Sequence, residues 1–209
     1  MEQSFHNYYL HAIMARPFEF EKEEILSKAM ILFWDKGYFN TSAQEIVDHL
    51  GISRSSVYNS FSDKRKLFIE ALRFYINTES TALIATLNHL PPTPESVRLI
   101  LEHIVNDNFR STRPKGCLAV NTAIEFSNHD EEIKGIIKGN LKQVISVFAD
   151  FMEKGQQQKT INTSIDAEDL AMALSNQVTA IRVAGRVITN KAFYQKSINA
   201  FITLFNYHE

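Results

Sequence analysis

Between Gly51 and Phe61 the chain reads GISRSSVYNSF, a run whose side chains can exchange hydrogen bonds without any nucleophile or metal. Arg54 can donate two parallel bonds to a pair of acceptors. Ser55 and Ser56 can donate or accept, and Asn59 can do both at once. At 100° per residue Val57 and Phe61 fall together on one side of a helix. Ser55, Ser56 and Asn59 fall on the opposite side, with Arg54 and Tyr58 on a flank. Short polar side chains behind an apolar anchor suit a helix that enters a groove about 12 Å wide and reads the base edges there. Tyr58 and Lys64 have the reach for backbone phosphates, and the N–H groups of Thr41 and Ser42 could meet one as well. The candidate DNA-contacting residues are therefore Thr41, Ser42, Arg54, Ser55, Ser56, Tyr58, Asn59 and Lys64. Residues 51–75 carry five cations against two carboxylates, a local surplus that favours a polyanion.

Catalytic chemistry is harder to place. The seven histidines are scattered, and there is no HExxH, CxxC, GxSxG or phosphate-binding glycine loop. GISRS lacks the closing glycine of a nucleophile elbow, and NHDEE at 128–132 reads as a turn followed by an acidic helix start. No catalytic residue, metal site or cofactor is expected, and the chain is read as a non-enzyme. The single cysteine, Cys117, excludes an internal disulfide. It follows RPKG, where a helix start with Arg113 and Lys115 nearby would favour the thiolate and make it a candidate redox or electrophile sensor. A small buried apolar residue is the alternative reading.

The elements that must position these residues are helical. Apolar residues recur at three- and four-residue steps, and 209 residues with 44% apolar content can bury a sizeable core. Helix 1 is predicted over Glu21–Lys36 with Gly37 as its stop. Helix 2 runs from Thr41, capped through Gln44, to Leu50, and helix 3 runs from its cap Ser53 to Phe61. Ser62 is expected to cap helix 4, Asp63–Leu87, and Thr93 with Pro94 to open helix 5, which continues to Arg110. Helices 6 (Cys117–Ser127) and 7 (Asp130–Gln157) follow. A polar linker, QQQKTINTS, precedes helices 8 (Asp166–Val187) and 9 (Lys191–Asn206). The fold class is thus all-α with about nine helices, divided into an extension (1–17), a helix-turn-helix domain (18–75) and a helical body (76–209). The net charge is −2, no apolar run approaches a membrane span, and the first fifteen residues lack the pattern of a secretion signal. A soluble cytoplasmic protein without a membrane partner is expected.

In the body, helix 8 is apolar around much of its circumference and helix 9 adds Phe193, Tyr194, Ile198, Phe201, Ile202 and Phe205 at helical spacing. Paired with the same helices of a second subunit, they would build a four-helix bundle. Phe109, Phe126, Phe148, Phe151 and Met152, with the polar Asn121 and Glu125 one turn apart, are the candidate lining of a pocket for a small organic ligand. The competing reading of these aromatics is plain core.

The run EEILSKAMILFWDKGYFNTSAQEIVDHLGISRSSVYNSFSDKRKLFIEAL, residues 23–72, resembles the N-terminal domain of the TetR/AcrR family of transcriptional regulators. The shared features are ILxxAxxLFxxxGYxxTSxxEI, GIS at the turn, VYxxF and DKxxLF. GCLAVNTAIEF is similar to helix 6 of one common subgroup. The resemblance implies a homodimer through helices 8 and 9 on a near-palindromic double-stranded DNA operator, with recognition helices about 34–36 Å apart. It also implies repression, relieved when an inducer enters the body and moves helix 4. Val47 departs from the family's usual alanine, and Asn59-Ser60 from its frequent His-Tyr pair. MARPFEF from Met14 looks like the usual family start, so residues 1–13 read as an extension or as the product of an upstream start codon, and Arg16 as part of a basic arm. The alternative is a helical interaction protein whose helix-turn-helix serves protein contacts only.

Overall fold

The structure, a computed structural model, describes residues 22–110, 116–126 and 130–207. The expected N-terminal extension, Arg16, Arg113, Lys115 and the side chain of Tyr58 lie outside the described residues. The chain divides into two compact units, the first ending at Tyr75 and the second beginning at Ile76. Nine α-helices are found among the described residues: α1 over 22–36, α2 Ala43–Leu50, α3 Arg54–Phe61, α4 Lys64–His89, α5 Pro94–Arg110, α6 Leu118–Phe126, α7 Glu131–Gln157, α8 Ala167–Ala184 and α9 Lys191–Ile202. A 3₁₀ turn, Thr203–Phe205, follows, and the all-α class holds.

Most helix ends sit where local chemistry puts them. Gly37 takes a left-handed backbone (φ 82°) and its N–H donates to the Phe33 carbonyl at 2.8 Å, ending α1. Thr93, Asp130 and Asp166 cap α5, α7 and α8 with side-chain oxygens accepting from Ser96, Ile133 and Glu168.

Two caps depart from expectation. The N-cap of α2 is Ser42, not Thr41, and its box partner is Glu45, not Gln44. Thr41 is buried and its hydroxyl donates to the Gly37 carbonyl at 2.6 Å, so it closes the turn before the helix instead. The Gln44 amide donates to Asp48. At α4 the capping oxygen belongs to Asp63, which accepts from the Lys66 N–H at 2.7 Å, while Ser62 takes a left-handed φ of 63° in the preceding turn.

The second unit is built around one apolar cluster from α4, α5, α7, α8 and α9, with Leu101, Met152, Leu174, Ile198 and Phe205 completely or almost completely buried. The polar run after α7 is an ordered corner of this unit and not a loose linker. Its one isoleucine, Ile161, is fully buried, and Gln156 donates to the carbonyls of Asn162 and Ile165 at 2.7 and 2.8 Å. Asn162 in turn donates its side-chain amide to Leu204 and its backbone N–H to Phe205, both at 3.0 Å. Polar side chains that read as solvated therefore supply backbone partners where the chain turns inward. α8 ends three residues earlier than expected, at Ala184, and a Cβ on the next residue, Gly185, would stand 2.1 Å from the Asn108 amide nitrogen.

Gly155 meets the corner most closely: a Cβ there would stand 2.6 Å from Ile161 Cδ1 and 2.9 Å from the Pro92 carbonyl oxygen. Because the second of these is backbone, it cannot swing aside. Gly155→Ala should therefore destabilise the protein by about 1–3 kcal/mol, the usual cost of overpacking, and urea unfolding followed by circular dichroism would measure it. An unchanged midpoint would show that the corner yields freely.

Candidate nucleic-acid interface

The site begins with an apolar anchor. Val57 and Phe61 are 2% and 1% exposed, and each buried side chain of this kind contributes about 1.5–3 kcal/mol. With them Ile46 and Leu50 of α2 are buried, so α2 and α3 share one inner side. Between the two helices Gly51 holds φ 69°, and its N–H donates to the Val47 carbonyl at 3.0 Å. Nothing lies within 4 Å of a would-be Cβ there, so the turn needs glycine for its backbone and not for space. Val47 itself is only half-buried.

Ser53 then caps α3, its hydroxyl accepting from the Ser56 N–H at 3.1 Å. The same oxygen lies 2.9 Å from Ser55 Oγ and 2.8 Å from Ser56 Oγ, so three hydroxyls form one connected cluster at the helix start. Ser53 is a member that the sequence reading took only as a cap. Arg54, Ser55, Ser56 and Asn59 are all exposed, as the wheel predicts. The outer side of α3 thus offers a guanidinium, hydroxyls and one carboxamide, enough to match donor and acceptor patterns on base edges.

The neighbouring helix starts behave differently from expectation. The Thr41 N–H donates to Tyr38 at 3.2 Å and the Ser42 N–H to the Glu45 carboxylate at 2.8 Å, so both amides are already engaged. The side chain of Ser42 is exposed at this end. Lys64, on the first turn of α4, holds its ammonium 4.3 Å from the centroid of the Tyr38 ring. Tyr38 was missed as a site residue because its partner lies 26 positions along the chain, beyond any local pattern.

Glu45 is the most perturbed group nearby. An ion pair with Lys36, then hydrogen bonds from the Ser42 backbone and hydroxyl, hold its carboxyl down at about 2 from 4.5. This links the end of α1 to the cap of α2.

The candidate pocket residues separate into two groups. Phe148, Phe151 and Met152 are buried in the cluster of the second unit, and Phe109 packs against it with its ring edge-on to Tyr194 at 6.1 Å. Phe126 is buried on α6, where Glu125 is half-buried and Asn121 accepts from Arg186 at 3.1 Å. Cys117 is half-buried one residue after Gly116, and its carbonyl accepts the Asn121 N–H at 2.9 Å, opening α6. Gly116 has φ 69° and lies against the end of α8: a Cβ would stand 3.3 Å from Arg186 Cδ and 3.5 Å from the Arg182 carbonyl. Arg182 also reaches Glu79 of α4 at 3.3 Å. Among the described residues no group of histidine, cysteine and carboxylates could hold a metal, and no helix is long and apolar enough to cross a membrane.

The Glu45 carboxylate makes one expectation quantitative in direction. A folded value below the unfolded one means that its contribution to stability is complete above about pH 4.5 and is lost as the pH falls toward 2. Carboxyl NMR should place its midpoint near 2, and Lys36→Met should move that midpoint upward. A midpoint unmoved by that substitution would remove Lys36 as the main cause.

Sequence comparison agrees with this geometry. The profile of bacterial regulatory proteins of the tetR family matches residues 25–71, and that of the tetracyclin repressor-like C-terminal domain matches residues 94–201. The HTH-type transcriptional regulator YezE of Bacillus subtilis (strain 168) is 28% identical over 91% of this chain and 99% of its own. The HTH-type transcriptional repressor BdcR of Escherichia coli (strain K12) is 30% identical over 59% of this chain and 61% of its own. Among solved structures, a cysteine mutant of the TetR family regulator CifR, complexed with 26-base-pair operator DNA, superposes with a TM-score of 0.76 at 23% identity, covering 87% of this chain and 95% of that one. These likenesses do not favour a helix-turn-helix used for protein contacts alone. With both profiles matched in chain order, the chain belongs to the TetR family of bacterial regulatory proteins and is a DNA-binding transcriptional regulator.

Proposed function

We propose that this regulator is a homodimeric, cytoplasmic repressor without enzymatic activity that reads a near-palindromic operator through the outer side of α3. The single observation that carries the reading is the exposed set Arg54, Ser55, Ser56 and Asn59 opposite a buried Val57 and Phe61. In this reading Arg54 is the principal base reader, the serine cluster allows close approach to the groove, and Lys64, Tyr58 and Ser42 meet phosphates. The relative BdcR is named a repressor, which supports the same direction of control here.

The dimer reading rests on the family, whose regulators are generally dimers, and on exposed apolar side chains of the last two helices. Met172 and Val183 on α8, Val187 just beyond it and Phe193 on α9 are 38–79% exposed, apolar surface that a second subunit would cover. Release from DNA is assigned to the second unit. A small organic ligand would bind among Phe109, Asn121, Glu125, Phe126, Phe148, Phe151 and Met152, or Cys117 would be modified. Either event would act beside Arg182 and Arg186, which tie the end of α8 to α4 and α6.

Titration of DNA fragments from around its own gene tests operator binding: one fragment should bind tightly, with affinity falling steeply as salt rises. Arg54→Ala should cost about 1–3 kcal/mol and relax preference at one base position; equal weakening on every sequence would reassign Arg54 to a phosphate. Phe193→Glu should shift the protein toward monomer in analytical ultracentrifugation, and an intact dimer would move the interface elsewhere.

A further inference from the structure

The Tyr38 ring is held on several sides before it meets any cation. Phe68 lies 5.0 Å away and Phe33 6.4 Å away, and those two rings pack edge-on to each other at 5.0 Å in the buried core. Phe39 stands edge-on at 5.2 Å. The backbone is restrained as well, by the left-handed Gly37 before it and by the Thr41 N–H donating to its carbonyl. Against this fixed ring Lys64 places its ammonium 4.3 Å from the centroid. A lysine side chain is otherwise among the most mobile in a protein, and ordering it on contact with a ligand weakens binding. An aromatic face attracts the charge without neutralising it.

We propose that Tyr38 is a positioning residue for DNA binding, whose ring pre-orders Lys64 so that the ammonium meets a backbone phosphate from a place already set. The inference rests on Lys64 being a phosphate contact and adds what holds it there. Phosphate contacts are independent of sequence, so the probe is a mixed-sequence double-stranded DNA fragment bound by the full chain at low salt.

Lys64→Ala should weaken binding and reduce the slope of log affinity against log salt by about one for each protomer bound. Tyr38→Leu should weaken binding about two- to fivefold per protomer, the effect of an exposed cation–π contact, whereas Tyr38→Phe, which keeps the ring, should bind like the parent. In the Lys64→Ala background Tyr38→Leu should have no further effect. If Tyr38→Leu fails to fold, pentafluorophenylalanine at position 38 keeps the ring shape while reversing its charge distribution, and should weaken binding in the same way. An unchanged affinity and salt slope for Lys64→Ala would overturn the phosphate reading of Lys64 itself. A Tyr38→Leu loss that is the same with and without Lys64, or full binding by the fluorinated protein, would overturn the positioning role alone.

Discussion

The burial of Phe61 and Val57 is the constraint on which the DNA-binding unit depends. α3 has only eight residues, too few to persist alone in water, so its existence as a helix comes from what its inner side touches. Phe61 is fully enclosed, and the helix between it and the Ser53 cap has little freedom left. The polar outer side is then held in place by apolar packing on the inner side. Flexible serines and an arginine could not present a fixed pattern of donors and acceptors without that support, because each would lose rotamer freedom on binding.

The same economy of means appears around the turn. Gly37, Gly51 and Ser62 each take a left-handed backbone, so every connection between the four helices of this unit is short and sharply set. Glu45 joins two of those connections by capping α2 and pairing with Lys36 at the end of α1. In the second unit the corresponding part is the corner around Ile161, where polar side chains satisfy carbonyls that would otherwise be buried unpaired. The other dense region lies at the end of α8, where Gly185, Arg182 and Arg186 bring α4, α5 and α6 to one place beside Cys117.

Most helices were legible because apolar spacing and caps are local signals. Thr93-Pro94, Asp130 and Gly51 mark ends that the structure keeps, since the groups they satisfy lie within one turn. The two misread caps show the limit of that logic. Thr41 and Ser42 are equally good capping residues on paper, and so are Ser62 and Asp63. Which member of each pair caps the helix is decided by burial of Thr41 and by the backbone turn at Ser62. The polar linker was misread for a related reason: its composition is that of a solvated loop, and only the packing of Ile161 reveals the corner.

The amino-acid sequence by itself determined the helical class, the helix-turn-helix and which side of α3 carries the polar groups, because periodicity and turn chemistry act over a few residues. Tertiary structure alone decided which distant side chains meet. It brought Tyr38 beneath Lys64, 26 positions along the chain, and buried Thr41 in the turn before α2. Those outcomes depend on how distant segments pack, and a hydrogen-bonding group can be assigned to a partner only after its competitors have been located in space.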